Sequence, residues 1–373
     1  MSNAKTKAHK VSSSKSHTKH WSEYTVAITG MNAKPENPGP GFAVARCLRE
    51  SKQFKGRIIG LGYDALDPGM YDKNLFDNSY LLPYPSTGKA ALDSRLNEIH
   101  SREQLDIIIP CLDAEMLNFS ELEPALHELG ITMLIPTEQQ IKRRNKDRLT
   151  DLCKALTIKT PESKNVTQAT FFYQCEKEGW HYPLVIKGVF YDATVVYTPI
   201  EAVAIFNRLA AEWGYPVLVQ RFIKGDEINL TALGDGQGNM VGAVMMRKRA
   251  VTEKGKAWAG ITVNDEKLRA MSAQLIAELQ WRGPLEIEVM KSSADDYYLI
   301  EINPRFPAWI YLSHGADRNL PIALLQTLQE GQIPAMPPAK AGTLFIRHAQ
   351  EIIVDLEQFA AITVSGTALG LAI

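Results

Sequence analysis

The segment Tyr297-Tyr298-Leu299-Ile300-Glu301-Ile302-Asn303-Pro304-Arg305 constrains this chain most, because an apolar strand ends there in a carboxylate, an amide and a guanidinium. Side chains alternate along a strand, so Glu301 and Asn303 share a face and can grip one ion between them. A second acidic run, Glu286-Ile287-Glu288, closes another apolar stretch. The Asp295-Asp296 turn between them suits an antiparallel hairpin that sets Glu288 opposite Glu301. Oxygen ligands clustered on a rigid sheet suit Mg²⁺, which keeps several waters and takes its remaining ligands from nucleotide phosphates. The competing reading is a solvated acidic hairpin with a chance Asn-Pro turn.

A length of 373 residues predicts two or three domains with sizeable cores. The net charge of −1 points to neither nucleic acid nor membrane as the main partner, so any charge-based function is local. The four cysteines, Cys47, Cys111, Cys153 and Cys175, show no paired zinc spacing and no dense disulfide framework, which fits a reduced, cytoplasmic setting. No apolar stretch is long enough to span a membrane, and the start lacks the apolar core of a signal peptide. Residues 1–20 are rich in Lys, Ser, His and Thr, bury almost nothing, and read as a disordered basic tail. His17 and His20 within it form no preorganised metal site.

From Tyr24 onward strands alternate with helices. Strands are expected at 25–30, 57–61, 79–82, 105–110 and 131–135, with helices at 42–52, 89–100 and 119–129. Such a βαβ series forms a parallel sheet covered by helices. The Gly39 and Gly41 pair departs from dinucleotide-loop spacing and reads as a structural turn, while Pro83 occupies the place of the first glycine that a P-loop at Ser86-Thr87-Gly88-Lys89 would need. Beyond Pro136 the pattern changes. A charged helix at 138–156 precedes a smaller α/β unit with strands at 183–187 and 216–222. A long hairpin at 228–246, a helix at 267–281, the acidic hairpin and a last strand at 345–354 follow. The apolar final fourteen residues read as a cap on a core.

Motif order then carries a resemblance. Lys146 in the charged helix, Lys187 at a strand end, the stretch Val219-Gln220-Arg221-Phe222-Ile223-Lys224-Gly225-Asp226-Glu227, Glu288, and Glu301-Ile302-Asn303-Pro304-Arg305 follow the order and approximate spacing of the ATP-grasp superfamily. The nearest likeness is to its carbamoyl-phosphate-synthetase and biotin-carboxylase branch. The resemblance implies an α/β protein: an N-terminal parallel, Rossmann-like pre-ATP-grasp domain at 21–138, then an ATP-grasp fold of two α+β subdomains at 139–340 with a lid near 158–217. Residues 341–373 would form a C-terminal strand and cap.

Each position also has a physical role. Lys187 can send a point charge toward a phosphate, and the resemblance assigns it the α/β-phosphates, with Lys146 as an earlier nucleotide lysine; a surface lysine and a solvated charge run are the alternatives. Gln220, Arg221, Phe222 and Ile223 resemble the linker whose backbone meets the adenine edge, and Glu227 the acid that accepts from ribose hydroxyls or, alternatively, sits solvated in a turn. Glu288, Glu301 and Asn303 are implied as Mg²⁺ ligands, Mn²⁺ being an alternative ion. Arg305 would reach the γ-phosphate or an acyl phosphate. Arg247 and Lys248 offer a further phosphate or substrate contact. Substrate recognition is expected within 307–319, with Trp309, Tyr311, Ser313, His314 and Asn319 as candidates that packing would explain equally.

The loop after Lys187 departs from the family, holding Gly188 but then Val189, Phe190 and Tyr191 where several glycines would let backbone amides approach phosphate. No bicarbonate-site pattern is evident, and the chain is too short for two synthetase halves. The resulting expectation is an ATP- and Mg²⁺-dependent ligase joining a small-molecule or peptide carboxylate to an amine or thiol through an acyl phosphate, releasing ADP and phosphate, with a homodimer as one possible assembly. The alternatives are a non-catalytic nucleotide-binding scaffold, or a kinase or carboxylase of the same fold.

Overall fold

The computed structural model describes residues 19–144, 146–188, 193–331, 333 and 335–369. The sequence begins with the parallel unit: strands β1 (Thr25–Thr29), β2 (Arg57–Gly62), β3 (Asn78–Leu81) and β4 (Ile107–Ile109), of which β2 and β4 flank β1 in parallel and β3 lies beside β2. Helices Gly41–Arg49, Lys89–Glu103 and Met116–Glu128 cover it. The β1 residues are buried throughout, as a strand covered on both faces must be. The expected strand at 131–135 does not form. That apolar run is buried beside β4 but joins it through one isolated bridge, Ile107 to Thr132, so its hydrophobicity reflects burial rather than a ladder.

The charged helix expected as one piece is two, Glu138–Arg143 and Lys146–Ala155, the first closing at Arg144. A small antiparallel sheet follows, ordered β5-β8-β6-β7, from β5 (Ser163–Val166), β6 (Leu184–Lys187), β7 (Ala193–Val196) and β8 (Val217–Arg221). Helix Pro199–Trp213 packs Ala202, Phe206 and Leu209 against Leu184, Ile186, Val217 and Val219, giving this unit its own core.

The third sheet is antiparallel and six-stranded, built from β9 (Gly225–Asp235), β10 (Met240–Val251), β11 (Ala257–Val263), β12 (Arg282–Ser292), β13 (Tyr297–Asn303) and β14 (Leu344–Ile346), in the order β13-β12-β9-β10-β11-β14. The strand expected at 345–354 is only three residues long, because its partner β11 begins at Ala257 and the pairing runs out there. One face carries helix Glu266–Leu279 and Leu149 and Leu152 of Lys146–Ala155. On the other, Leu233, Val241, Val244 and Met246 share a core with Val44 and Leu48 of the N-terminal unit and with helix Leu320–Glu330. That shared core fixes the N-terminal domain against the large sheet.

The last strand, β15 (Thr367–Leu369), returns to pair antiparallel with β3, and Ile362 of helix Leu356–Ser365 is buried. Residues 1–18, including His17, lie outside the described residues, but Lys19 and His20 of the expected tail are held: Lys19 pairs with Asp106 at 2.5 Å, and His20 caps the turn at Trp21–Glu23. No helix among the described residues is long and apolar enough to cross a membrane.

Candidate functional site

The acidic hairpin is β12 and β13, in a register that sets Glu286 opposite Asn303 and Glu288 opposite Glu301. On its other edge β12 pairs with β9, placing Glu286 opposite Thr231 and Glu288 opposite Asn229. Strand alternation therefore gathers Glu227 and Asn229, Glu286 and Glu288, and Glu301 and Asn303 on one face. Lys248 of β10 joins them: it is ion-paired to Glu227 and donates to the Gly255 carbonyl at 3.0 Å. Its neighbour Arg247 points away and pairs with exposed Asp226 at 2.9 Å, so of the expected basic pair only Lys248 enters the site.

Glu286 is the best-anchored acid of the group. It is 4% exposed and accepts hydrogen bonds from Asn229 Nδ2 (2.8 Å), Trp309 Nε1 (2.7 Å), Arg305 Nη1 (2.8 Å) and Asn303 Nδ2 (3.2 Å). Burial alone would raise its pKa, but the Arg305 guanidinium and these donors outweigh burial and hold the carboxyl well below the ordinary range. Glu288 behaves oppositely. Burial, then the Glu286 and Glu301 charges, push it well up despite Lys248. Burial would lower Lys248, and Glu288 with Glu227 more than compensates, so that cation is held above its usual range.

Arg305 couples the hairpin to the N-terminal domain. Its Nε donates to Asp113 Oδ2 at 2.9 Å while its Nη1 holds Glu286, and Arg144 approaches the other Asp113 oxygen at 3.6 Å. Asp113 follows a loop that buried Glu115 locks in place, accepting from the Cys111 and Leu112 amides at 2.9 Å and from the Thr29 and Tyr63 hydroxyls. Among the described residues Arg305 Nη2 makes no hydrogen bond, and Arg305 lines the adjoining cavity.

Of these groups Asp113, Asn229, Lys248, Glu286, Glu288 and Arg305 line a cavity of about 240 Å³ between the N-terminal domain and the large sheet, with Glu301 and Asn303 beside Glu288 and Glu286 on the same face. Residues 37–40 and 111–114 form one wall, and Trp309, Arg347 and Lys256 close another part. The glycine turn is thus both a packing device and a wall: a Cβ on Gly39 would stand 2.4 Å from the Gly30 carbonyl oxygen, and one on Gly41 2.1 Å from that of Thr29. A second, much narrower gap of about 10 Å³ lies where Lys187, Leu218 and Gln220 face Leu149, Thr150 and Ile300. Lys187 is buried there, and Gln220 donates to Ser163 Oγ at 3.0 Å. Arg221, next along β8, turns to the opposite side, pairing with Glu162 at 2.6 Å and lying 4.8 Å over the Trp180 ring. Phe222 and Ile223 are half-buried beyond it. Lys146 opens its helix with its side chain outside the described residues, as does the expected glycine-poor loop at 189–192.

Of the candidates within 307–319, only Trp309 reaches the cavity. Tyr311 bonds Glu50 and lies under Arg46, 3.7 Å from its ring centroid. Ser313 is buried against the Leu320 amide, and Asn319 caps helix Leu320–Glu330 and bonds both His314 and the Cys47 carbonyl. Sequence reasoning missed Asn229, Glu286, Asp113 and Arg347. The period of two that marked Glu301 and Asn303 also places Glu286 beside Glu288, whereas Asp113 and Arg347 arrive from distant parts of the chain without a local signal.

Among the described residues no group of three or more His, Cys, Asp or Glu side chains is arranged to hold a metal ion. The expected set has two carboxylates and an amide, and it fits Mg²⁺ chemically. Glu288 is crowded by Glu286 and Glu301, a repulsion that a divalent cation relieves, and the Asn303 amide spends its nitrogen on Glu286 and Glu288, leaving its oxygen as a hard donor. Glu286, already bonded to four donors, is the poorer ligand.

Residues 215–351 match the family model described as ATP-grasp in the biosynthetic pathway with Ter operon. The large chain of carbamoyl phosphate synthase from Clostridium acetobutylicum is 22% identical over 250 residues, 62% of this chain, and the chain spans only 22% of that relative's length. Among solved structures, a biotin carboxylase–β-γ-ATP complex from Campylobacter jejuni aligns with a TM-score of 0.64 at 15% identity, covering 86% of this chain and 74% of that one. An L-amino acid ligase from Bacillus licheniformis aligns at 0.60 and 16% identity, covering 83% and 74%. Motif order, sheet topology and these likenesses agree on an ATP-grasp fold, with residues 215–351 matching an ATP-grasp family model and the chain as a whole similar to carbamoyl phosphate synthase and biotin carboxylase.

Proposed function

We propose that the chain is an ATP-dependent ligase that activates a carboxylic acid as an acyl phosphate and passes the acyl group to an amine or thiol, releasing ADP and phosphate. The observation that carries this reading is the shared face on which Glu288, Glu301, Asn303, Lys248 and Arg305 meet, beside a cavity walled by a second domain. A carboxylate is a poor electrophile with a poor leaving group. Attack of its oxygen on the γ-phosphorus of ATP, with departure of ADP, repairs both defects. The amine or thiol then attacks the acyl carbon, and phosphate leaves with the bond pair.

Glu288, Glu301 and Asn303 would hold Mg²⁺, which when bound supplies charge neutralisation for the triphosphate. Arg305, oriented by Asp113 and Glu286, presents Nη2 where two anions are brought together, an electrostatic role that needs no protein nucleophile. Lys187 and Lys146 would bind phosphates, the backbone of residues 220–223 the adenine edge, and Glu227 the ribose. Lys248, ion-paired to Glu227, holds that side chain in place. The Arg221 side chain, committed to Glu162 and Trp180, contributes through its main chain alone. The walls at 37–40 and 111–114 exclude water from the acyl phosphate.

The test is incubation of the protein with MgATP, hydroxylamine and a pool of acids. Stoichiometric ADP and a hydroxamate are expected, and mass spectrometry of the hydroxamate names the acid. Formation of AMP and pyrophosphate would contradict the mechanism.

A further inference from the structure

Two cations of the large cavity, Arg347 and Lys256, are left over by the ligase reading. Arg347 lies just past β14, its backbone N–H donating to the Trp258 carbonyl at 2.8 Å. Its guanidinium donates from Nη2 to the Ala308 carbonyl at 3.1 Å, and its Nε is buried with no hydrogen-bond partner. Among the described residues no carboxylate lies within ion-pair distance of it, whereas Arg305 and Lys248 in the same cavity are both matched by acids. A guanidinium stays charged at physiological pH, and a partly buried charge without a counter-ion is costly. Burial draws Arg347 below the usual arginine range, as an uncompensated cation should be. Lys256, two residues before Trp258, lines the same wall.

The sheet order sets the scale. Glu286 and Glu288 stand on β12, while Lys256 and Arg347 adjoin β11 and β14, three and four strands away. At the usual spacing of neighbouring strands that is about 14–19 Å of backbone, which long side chains reaching inward from both ends shorten. The cavity between them is lined from β9 and β10 by Asn229 and Lys248, and Pro38, Pro40 and Ala257 give it apolar surface. Its volume of about 240 Å³ lies below that of drug-sized sites, which suits a small metabolite rather than a peptide.

Resting on the ligase reading, we infer that the acid is a small dianion. Its reacting carboxylate lies beside Arg305, and a second anionic group, carboxylate or phosphate, pairs with Arg347, whose planar fork matches either. Its short carbon chain crosses the apolar wall between them.

Thermal melts of the full chain with MgADP present test this with butyrate against succinate, pentanoate against glutarate, hexanoate against adipate, and 3-phosphonopropionate as the phosphate arm. At least one dianion should raise Tm by about 2 °C more than its length-matched monoanion. Arg347→Gln should abolish that preference while keeping the MgADP shift, and Arg347→Lys should keep part of it. If Arg347→Gln does not fold, Arg347→Lys and Lys256→Gln carry the test, each expected to shrink the preference. The inference is overturned if no dianion outperforms its partner in the wild type, or if the preference survives every variant unchanged. Absence of an MgADP shift in the wild type would count instead against the ligase reading, and the dianion preference is then read from melts without nucleotide.

Discussion

Glu286 and Glu288 stand two residues apart on one strand and face the same way, yet they belong to opposite electrostatic regions. The floor around Glu286 is made of donors: Arg305, Asn229, Trp309 and Asn303. The rim around Glu288 is made of acids, Glu286, Glu301 and Glu227, with Lys248 as the offsetting cation. The first carboxylate is therefore a structural anchor that fixes Arg305, and the second holds unspent charge. Identical side chains on one face acquire different work from what the neighbouring strands bring to them.

The largest break in this contrast comes from removing the cation that the floor is built on. Arg305→Ala leaves Glu286 and Asp113 buried without their partner and should cost about 3–5 kcal/mol in urea unfolding, along with turnover. Stability equal to wild type would show that the floor is not held by this ion pair.

Glu286→Gln is milder, losing charge-assisted hydrogen bonds at on the order of 2–3 kcal/mol. It also changes the acid limb. The folded pKa of Glu286 is depressed to about 2, so its contribution is present above the ordinary carboxylate range and lost as pH falls toward that value. The variant should lose less stability than wild type on acidification, as read by thermal melts from pH 5 to about pH 2.

Glu288→Gln should act with the opposite sign. The folded pKa of Glu288 is raised to about 7, so in chelator-treated protein its contribution is present at low pH and lost as pH rises from the ordinary carboxylate range through 7. The variant should flatten that loss and be about 1–2 kcal/mol more stable than wild type at pH 8, since Lys248 offsets part of the crowding. Mg²⁺ should stabilise wild type and not the variant. Equal responses of the two would remove Glu288 from the metal set.

The smallest effect sharpens the contrast from the next strand. Arg247→Ala deletes an exposed pair with Asp226 and should change stability by under about 0.5 kcal/mol. Lys248→Ala, one residue on, should weaken nucleotide binding.

Much of this was legible in the sequence, and the reason is periodicity. The register that sets Glu288 opposite Glu301 follows from a short turn between two apolar strands. The parallel N-terminal sheet follows from alternating strand and helix patterns. Local signals failed where tertiary context decides: the run at 131–135 is apolar because it is buried beside β4, and β15 joins β3 from almost 300 residues away. The site divides in the same manner. The hairpin residues lie within one stretch, but Asp113 orients Arg305 from another domain, and Arg347 enters the cavity because β14 ends beside Trp258.

The central claim, that the acid-rich rim is a place for a metal-bound nucleotide, is tested most directly by calorimetric titration of ATP with Mg²⁺ and with excess chelator. Wild type should bind ATP at least about tenfold more tightly with Mg²⁺, a gap of about 1.4 kcal/mol, and Glu301→Gln should close that gap while remaining folded. ATP binding of equal strength with and without Mg²⁺, or a metal dependence untouched by Glu301→Gln, would contradict it.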